Sequence, residues 1–267
     1  MSNRSFLYGD GLFETIRVSE GQALNLAAHF ERLSRGLAIL QLQNPAQPFT
    51  YLQFKTIIEG FIAQQSTTNL RIRGTFFRQI GGRYTPEQQA FDYQLEATSL
   101  PTAAYPIPTQ SLTIGIAQTI QLSQTILSNL KTTSALPYVM AGLEKKKEGW
   151  EDCLLLNQQG YVAEAIAANV FLKKGSLVWT PALNQGCIAG VMRQLLLQLL
   201  PQLGYRVVEG KIKVQQVLEA EEVWLTNALQ GVQGVTACVG RTAPYSREIA
   251  QQLQQHLSLR AKNDRLN

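Results

Sequence analysis

The stretch Leu100-Pro-Thr-Ala-Ala-Tyr-Pro-Ile-Pro108 puts three prolines into eight residues. Each proline removes a backbone donor and biases the residue before it away from helix. No helix and no central strand can run through such a segment. It reads as a stiff connector and predicts a chain of two domains, 1–105 and 106–267.

Before the connector, Gly9-Asp-Gly11 forms a turn and an alternating strand follows. Phe13, Thr15 and Arg17 face one way, and Glu14, Ile16 and Val18 the other. Ser19-Glu-Gly21 makes a hairpin turn. Leu26, Phe30, Leu33, Leu37 and Leu40 then fall on one face of a helix, with His29 and Arg32 one turn apart beside that stripe. Thr50 caps a second helix reaching about Gln64. Strands are expected at 70–79, carrying Arg71, Arg73 and Arg78, and at 91–99, with a glycine turn at Ile80-Gly-Gly-Arg83.

After the connector the pattern predicts a strand at 112–120, a helix at 136–150, and short strands at 152–156, 162–172 and 176–179. A loop at Pro181–Gly190 leads into an apolar helix from Gly190 to about Leu203. A strand at 205–209, a short helix at Val214–Ala220, a strand at Glu222–Thr226, a glycine-rich tail of strands and a helix capped by Ser246 complete the chain. The fold class is mixed α/β of the α+β kind, since strand and helix do not alternate regularly.

Composition narrows the function. No run approaches the ~18–20 apolar residues of a membrane span, and the N-terminus lacks the hydrophobic core of a signal peptide. The three cysteines, Cys153, Cys187 and Cys238, match neither a disulfide framework nor a zinc spacing, so a cytoplasmic setting is expected. With His29 and His256 as the only histidines, a histidine metal site and a Ser-His-Asp triad are both disfavoured, and no metal is expected. The net charge of +5 is scattered apart from Lys145-Lys146-Lys147, without the continuous basic stripe that nucleic acid requires.

Four features could serve one phosphorylated, carbonyl-bearing ligand. Lys131 lies in Leu127-Ser-Asn-Leu-Lys-Thr-Thr-Ser-Ala-Leu-Pro137, between a strand and a helix, and a lysine amine forms an imine with an aldehyde. Glu164 is the lone carboxylate of the apolar run Val162-Ala-Glu-Ala-Ile-Ala-Ala-Asn-Val-Phe171, placed to keep a pyridine nitrogen protonated. Arg32 could clamp a phosphate with paired donors. The helix start Gly190-Val191-Met192 offers free backbone N–H groups. Each has a plainer reading: a solvated loop lysine, an edge-strand acid facing water, a snorkelling surface arginine, a turn before a helix. The spacing alone does not name the ligand.

Taken together, Tyr8-Gly-Asp-Gly-Leu-Phe-Glu-Thr-Ile-Arg17, His29-Phe-Glu-Arg32-Leu33, Leu130-Lys131, Val162-Ala-Glu164, Ala168-Asn169-Val-Phe171, Gly190-Val-Met-Arg193 and Thr226-Asn227-Ala228 resemble the fold-type IV pyridoxal-phosphate enzymes, the class IV aminotransferases. The resemblance runs from Phe6 to about Val239. It implies a small α+β N-terminal domain, a larger barrel-like C-terminal domain that binds pyridoxal 5'-phosphate, and a homodimer. It implies Lys131 as the Schiff-base lysine and proton carrier, and Glu164 as partner of the pyridinium nitrogen. Arg32, the N–H groups of Val191 and Met192, and Asn227 with Ala228 are implied for the phosphate.

Within the family, Arg78, Gly81-Gly-Arg83-Tyr84, Ala167-Ala-Asn169, Trp179-Thr-Pro181 and Asn227-Ala-Leu229 are most similar to the 4-amino-4-deoxychorismate lyases. This implies a small amino substrate bearing carboxylates, with Arg17, Arg78 and Arg83 as candidates to bind them. The products would be 4-aminobenzoate, a folate precursor, and pyruvate. A branched-chain or D-amino-acid aminotransferase is the alternative, and a non-catalytic cofactor-binding relative a remoter one. The sequence departs from the family in two places. The N-terminal hairpin common in the family is expected to be missing or very short. Lys131 is followed by Thr-Thr-Ser-Ala135, where many aminotransferases place a tyrosine near the last position.

Overall fold

A computed structural model describes residues 3–43, 47–107 and 110–263. Pro108 of the connector lies outside the described residues. The chain divides into two compact units. One is built from the described part of Met1–Ala104 with Leu130–Ala135, the other from Tyr105–Asn129 with Leu136–Lys262. No described helix is long and apolar enough to cross a membrane.

The first unit contains α1 (Arg4–Tyr8), β1 (Gly11–Ser19), β2 (Gln22–Ala23), α2 (Leu26–Ile39), α3 (Tyr51–Ala63), β3 (Leu70–Arg78) and β4 (Phe91–Ser99). Its antiparallel sheet runs β2-β1-β3-β4. Alternation along β1 and β3 turns Ile16, Val18, Ile72 and Phe76 into one core. Leu33 and Leu37 of α2 and Phe54 and Ile58 of α3 fill that core from the helices. Each such side chain contributes about 1.5–3 kcal/mol relative to exposure. Thr50 and Gln53 cap the start of α3 reciprocally.

Helix α1 was not expected from the pattern, which shows only a turn there. Asn3 caps it by accepting from the Phe6 N–H at 2.9 Å, and Gly9 ends it in the left-handed region at φ +67. Five residues carry too little periodicity to be read as a helix.

The second unit contains β5 (Thr113–Leu122), α4 (Leu136–Glu148), β6 (Asp152–Asn157), β7 (Val162–Ala165), β8 (Asn169–Lys174), β9 (Leu177–Pro181), α5 (Val191–Gln202), β10 (Arg206–Gly210), α6 (Val214–Glu219), β11 (Glu222–Asn227), β12 (Gly231–Gly234), β13 (Ala237–Cys238) and α7 (Glu248–Asn263). Two sheets run β10-β9-β8-β11-β12 and β13-β5-β6-β7. Ile114, Leu154 and Val162 of the second sheet share a core with Val170, Leu172, Val223 and Leu225 of the first. This is the half-barrel of the fold.

The apolar run 162–172, expected as one strand, is two. Ala165 N–H bonds back to the Ala168 carbonyl at 2.8 Å, and the chain passes from β6-paired β7 to β9-paired β8. Apolarity without alternation marks burial on both faces but not a change of sheet. The start of α7 also has a second cap beside Ser246. The buried Glu222 carboxylate accepts from the Ile249 and Ala250 N–H groups at 3.0 and 3.1 Å.

Candidate active site

Lys131 is held by its backbone. Leu130 is buried in the core of the first unit. The Lys131 carbonyl accepts from the Phe13 N–H at 2.8 Å, and the Thr133 N–H reaches the Gly11 carbonyl at 2.9 Å. The lysine segment is thus a short extra partner for the start of β1. The Gly-Asp-Gly turn makes this possible. A Cβ on Gly9 would press on Ser134 at 3.0 Å, and one on Gly11 would meet the Phe76 carbonyl at 2.7 Å. Asp10 between them receives Arg4 at 2.9 Å and Arg78 at 3.0 Å.

The half-buried lysine places Nζ 4.3 Å from the centre of the Phe13 ring, and Arg73 lies over the same ring at 3.8 Å. A cation over an aromatic face is attracted by the ring quadrupole, so Phe13 orients both groups. Neither Phe13 nor Arg73 was singled out from sequence. The signal was available, because Phe13 and Arg73 occupy outward positions on strands already recognised.

Behind Lys131 lies a charged cluster in the core. Glu14, from the inward face of β1, is 2% exposed. Arg32 grips it with two bonds, Nε to Oε1 at 2.8 Å and NH2 to Oε2 at 2.5 Å. His29 Nδ1 lies 2.6 Å from Oε2. Burial pushes the Glu14 carboxyl up, but the Arg32 charge and the bonds from Arg32 and His29 outweigh it and hold it at about 2. Burial pulls His29 down against its bond to Glu14, and the Arg32 and Lys131 charges pull it further. The ring is therefore neutral at pH 7. An ionised carboxylate only accepts, so Nδ1 carries the proton and Nε2 the lone pair. Nε2 is buried and has no partner among the described residues.

In the second unit Glu164 is buried, which excludes the reading as a solvent-facing edge acid. The Tyr138 hydroxyl donates to Oε1 at 2.6 Å. Oε2 accepts from the Ile188 N–H at 3.0 Å and from Asn169 Nδ2 at 3.3 Å. Asn169 is fixed in turn by donating to the Ile188 carbonyl at 2.9 Å. These are three donors on one carboxyl, and donors of this kind favour the ionised form.

Gly190 caps α5 without a side chain, and Val191 and Met192 form the buried first turn. A Cβ on Gly190 would overlap Asn169 Oδ1. Gly190→Ala is therefore expected to push Asn169 off Glu164 and lower stability by about 1–3 kcal/mol, the cost of overpacking. Chemical denaturation checks the loss. On β11, Asn227 Oδ1 closes a turn by accepting from the Leu229 and Gln230 N–H groups, and Nδ2 donates to the Ala167 carbonyl at 3.2 Å. Ala228 follows it, half-buried.

The three arginines considered for substrate carboxylates differ in placement. Arg17 is buried and donates to the carbonyls of Thr102 and Ala104, both at 2.6 Å. Arg78 is buried against Asp10 and the carbonyls of Leu40, Gln41 and Gln88. Arg83 is exposed. Its loop is clasped by Arg4, which donates to the carbonyls of Gly81, Gly82 and Arg83 at 2.8–3.0 Å. Among the described residues no cluster of three metal-ligating side chains occurs.

A two-sheet half-barrel with a buried, donor-fed carboxylate, together with a lysine anchored on the sheet of an α+β unit, defines an enzyme of the fold-type IV class. Residues 11–238 match the model of the amino-transferase class IV family, and the chain belongs to that family. It is 30% identical over 250 residues to the aminodeoxychorismate lyase of Vibrio harveyi, covering 92% of this chain and 89% of the relative. The crystal structure of 4-amino-4-deoxychorismate lyase from Pseudomonas aeruginosa superposes with a TM-score of 0.81 at 26% identity, over 96% of this chain and 94% of that one. The branched-chain amino acid aminotransferase of Escherichia coli shares the fold, with a TM-score of 0.84 at 18% identity over 96% and 86% of the two chains.

Proposed function

We propose that this protein is a pyridoxal-phosphate-dependent lyase that converts 4-amino-4-deoxychorismate into 4-aminobenzoate and pyruvate. The observation that supports the lyase reaction is the 30% identity to an aminodeoxychorismate lyase over 92% of the chain; Glu164 supports the cofactor, since a buried carboxylate fed by Tyr138, Ile188 and Asn169 suits a neighbouring cation. The residues present fit the cofactor. In the first unit Lys131 offers an amine and Arg32 donors for a phosphate; in the second, Glu164 offers an anion for a protonated ring nitrogen and the α5 N-terminus donors for a phosphate. When bound, pyridoxal phosphate supplies an aldehyde for the lysine and a ring that takes up negative charge.

Lys131 Nζ is the amine that would bond the cofactor's aldehyde, and in its free form it would take the proton from the amine-bearing ring carbon of the substrate; a proton returned to the departing enolpyruvyl group lets it leave as pyruvate. Within the first unit Arg32, oriented by Glu14, is our candidate donor to the phosphate; within the second unit the Val191 and Met192 N–H groups, with Asn227 and Ala228, are the candidates. For the substrate carboxylates we favour Arg83 and Arg73. Arg17 and Arg78 serve instead to hold loops through their carbonyls.

The test is to supply aminodeoxychorismate and, separately, an amino-acid and ketoacid pair to the purified holoenzyme. 4-Aminobenzoate without ketoacid supports the lyase. Ketoacid alone sinks it in favour of an aminotransferase, in which Lys131 would return its proton to the cofactor.

We place the protein in the cytoplasm as a homodimer. Three buried free cysteines suit a reducing compartment. Leu136, Val139, Met140 and Leu143 form an apolar stripe along one face of α4, 41–67% exposed. Contiguous exposed apolar surface marks an association site, and a second copy of the chain would cover it. Val139→Asp with Leu143→Glu is expected to give a monomer by light scattering where the parent protein is a dimer.

A further inference from the structure

Glu164 receives a side-chain hydroxyl, and this contact has its own consequence. Tyr138 lies seven positions after Lys131, at the start of α4. Its side chain packs against a small core that includes Ala117, Ala141, Cys153, Leu155 and Ala163. The hydroxyl donates to Glu164 Oε1 at 2.6 Å, at the short end for a bond to an ionised acceptor. Burial and the Glu164 charge both push the tyrosine away from ionisation, so it donates at every working pH. Asn169 and the Ile188 N–H donate to Oε2 instead.

We propose that Tyr138 is a positioning residue that holds Glu164 ionised and in a fixed rotamer, and so sets how firmly the cofactor's ring nitrogen keeps its proton. The proposal rests on the reading of Glu164 as partner of that nitrogen. Removing one donor from a buried carboxylate makes the anion less stable. A less stable anion is a stronger base, so Glu164 draws the proton it shares with the ring nitrogen toward itself.

The experiment uses holoenzyme loaded with pyridoxal 5'-phosphate labelled with nitrogen-15 in the ring, with the ring-nitrogen shift followed against pH. Tyr138→Phe keeps the packing and is expected to move the ring-nitrogen signal toward the neutral-pyridine position at a given pH. A fluorinated tyrosine at 138, a stronger donor of nearly the same shape, should move it toward the pyridinium position. A Tyr138→Phe signal equal to the parent's overturns the proposal, and so does a fluorotyrosine protein that does not move. Thermal unfolding of the cofactor-free variants separates a local effect from a folding defect. Should Tyr138→Phe unfold, the fluorotyrosine series decides alone. Glu164→Gln distinguishes the underlying reading: a ring nitrogen that stays protonated in that variant removes Glu164 as its partner, and the role of Tyr138 falls with it.

Discussion

Lys131→Ala is expected to abolish the covalent, borohydride-reducible link to pyridoxal phosphate and to reduce turnover by at least ~10³-fold, since in the proposed mechanism one amine would supply both the bond and the proton transfer. The fold should survive. Lys131 is held through its backbone bonds to Phe13 and by the burial of Leu130 beside it, and the substitution leaves both in place. Mass spectrometry after reduction reads the link, and circular dichroism reads the fold. An adduct still found on the variant would place the reactive amine elsewhere. Among the described residues, Lys131 alone joins a lysine side chain to the Phe13 ring and to the charges that bear on His29.

Glu14→Gln should produce the largest loss of stability. The carboxylate is the shared anion of Arg32 and His29. The amide removes that charge and leaves a buried guanidinium facing an N–H group. Removing one partner of a buried pair costs about 3–5 kcal/mol, on the order of 10 °C in the midpoint of thermal unfolding for a unit of this size. Cofactor binding should weaken as well, because Arg32 loses the contact that aims it. A melting temperature unchanged within error would show that Glu14 carries no such load.

The same cluster predicts the acid limb of stability. Glu14 is lowered from 4.5 to about 2, so its folded pKa is depressed. Its contribution is complete above the unfolded value of 4.5 and is lost as pH falls toward 2. The shift corresponds to about 3 kcal/mol. His29 is also depressed from 6.5. Protonation then favours the unfolded chain, and its contribution starts to fall below 6.5. Chemical denaturation across pH should show a shallow decline from near neutrality and a steeper one below pH 4.5. In Glu14→Gln the steeper limb should be diminished.

Most elements were legible from periodicity. Leu26, Leu33 and Leu37 at helical spacing identify α2, and alternation along 91–99 identifies β4 with the bounds the structure has. The motif order singled out Lys131, Glu164 and Arg32 as candidates. Less legible were the elements whose cause lies outside them. Helix α1 depends on the Asn3 cap and on Arg4 reaching the loop at Gly81–Arg83. The break inside 162–172 depends on which sheet each half joins. The carbonyl partners of Arg17 and Arg78 lie far from them in the chain and were not legible either.

The amino-acid sequence by itself determined which residues face inward and where helices and strands can run, because both follow from side-chain period and local backbone chemistry. It also supplied the candidate lysine and the lone acid of the apolar run. Only the tertiary structure decided what each charge meets. Glu14 and His29 are 15 residues apart and Tyr138 and Glu164 are 26 apart. No local rule pairs such groups. Their partnership arises when the closing backbone buries a charge that must then be compensated by whatever donor the fold has brought beside it.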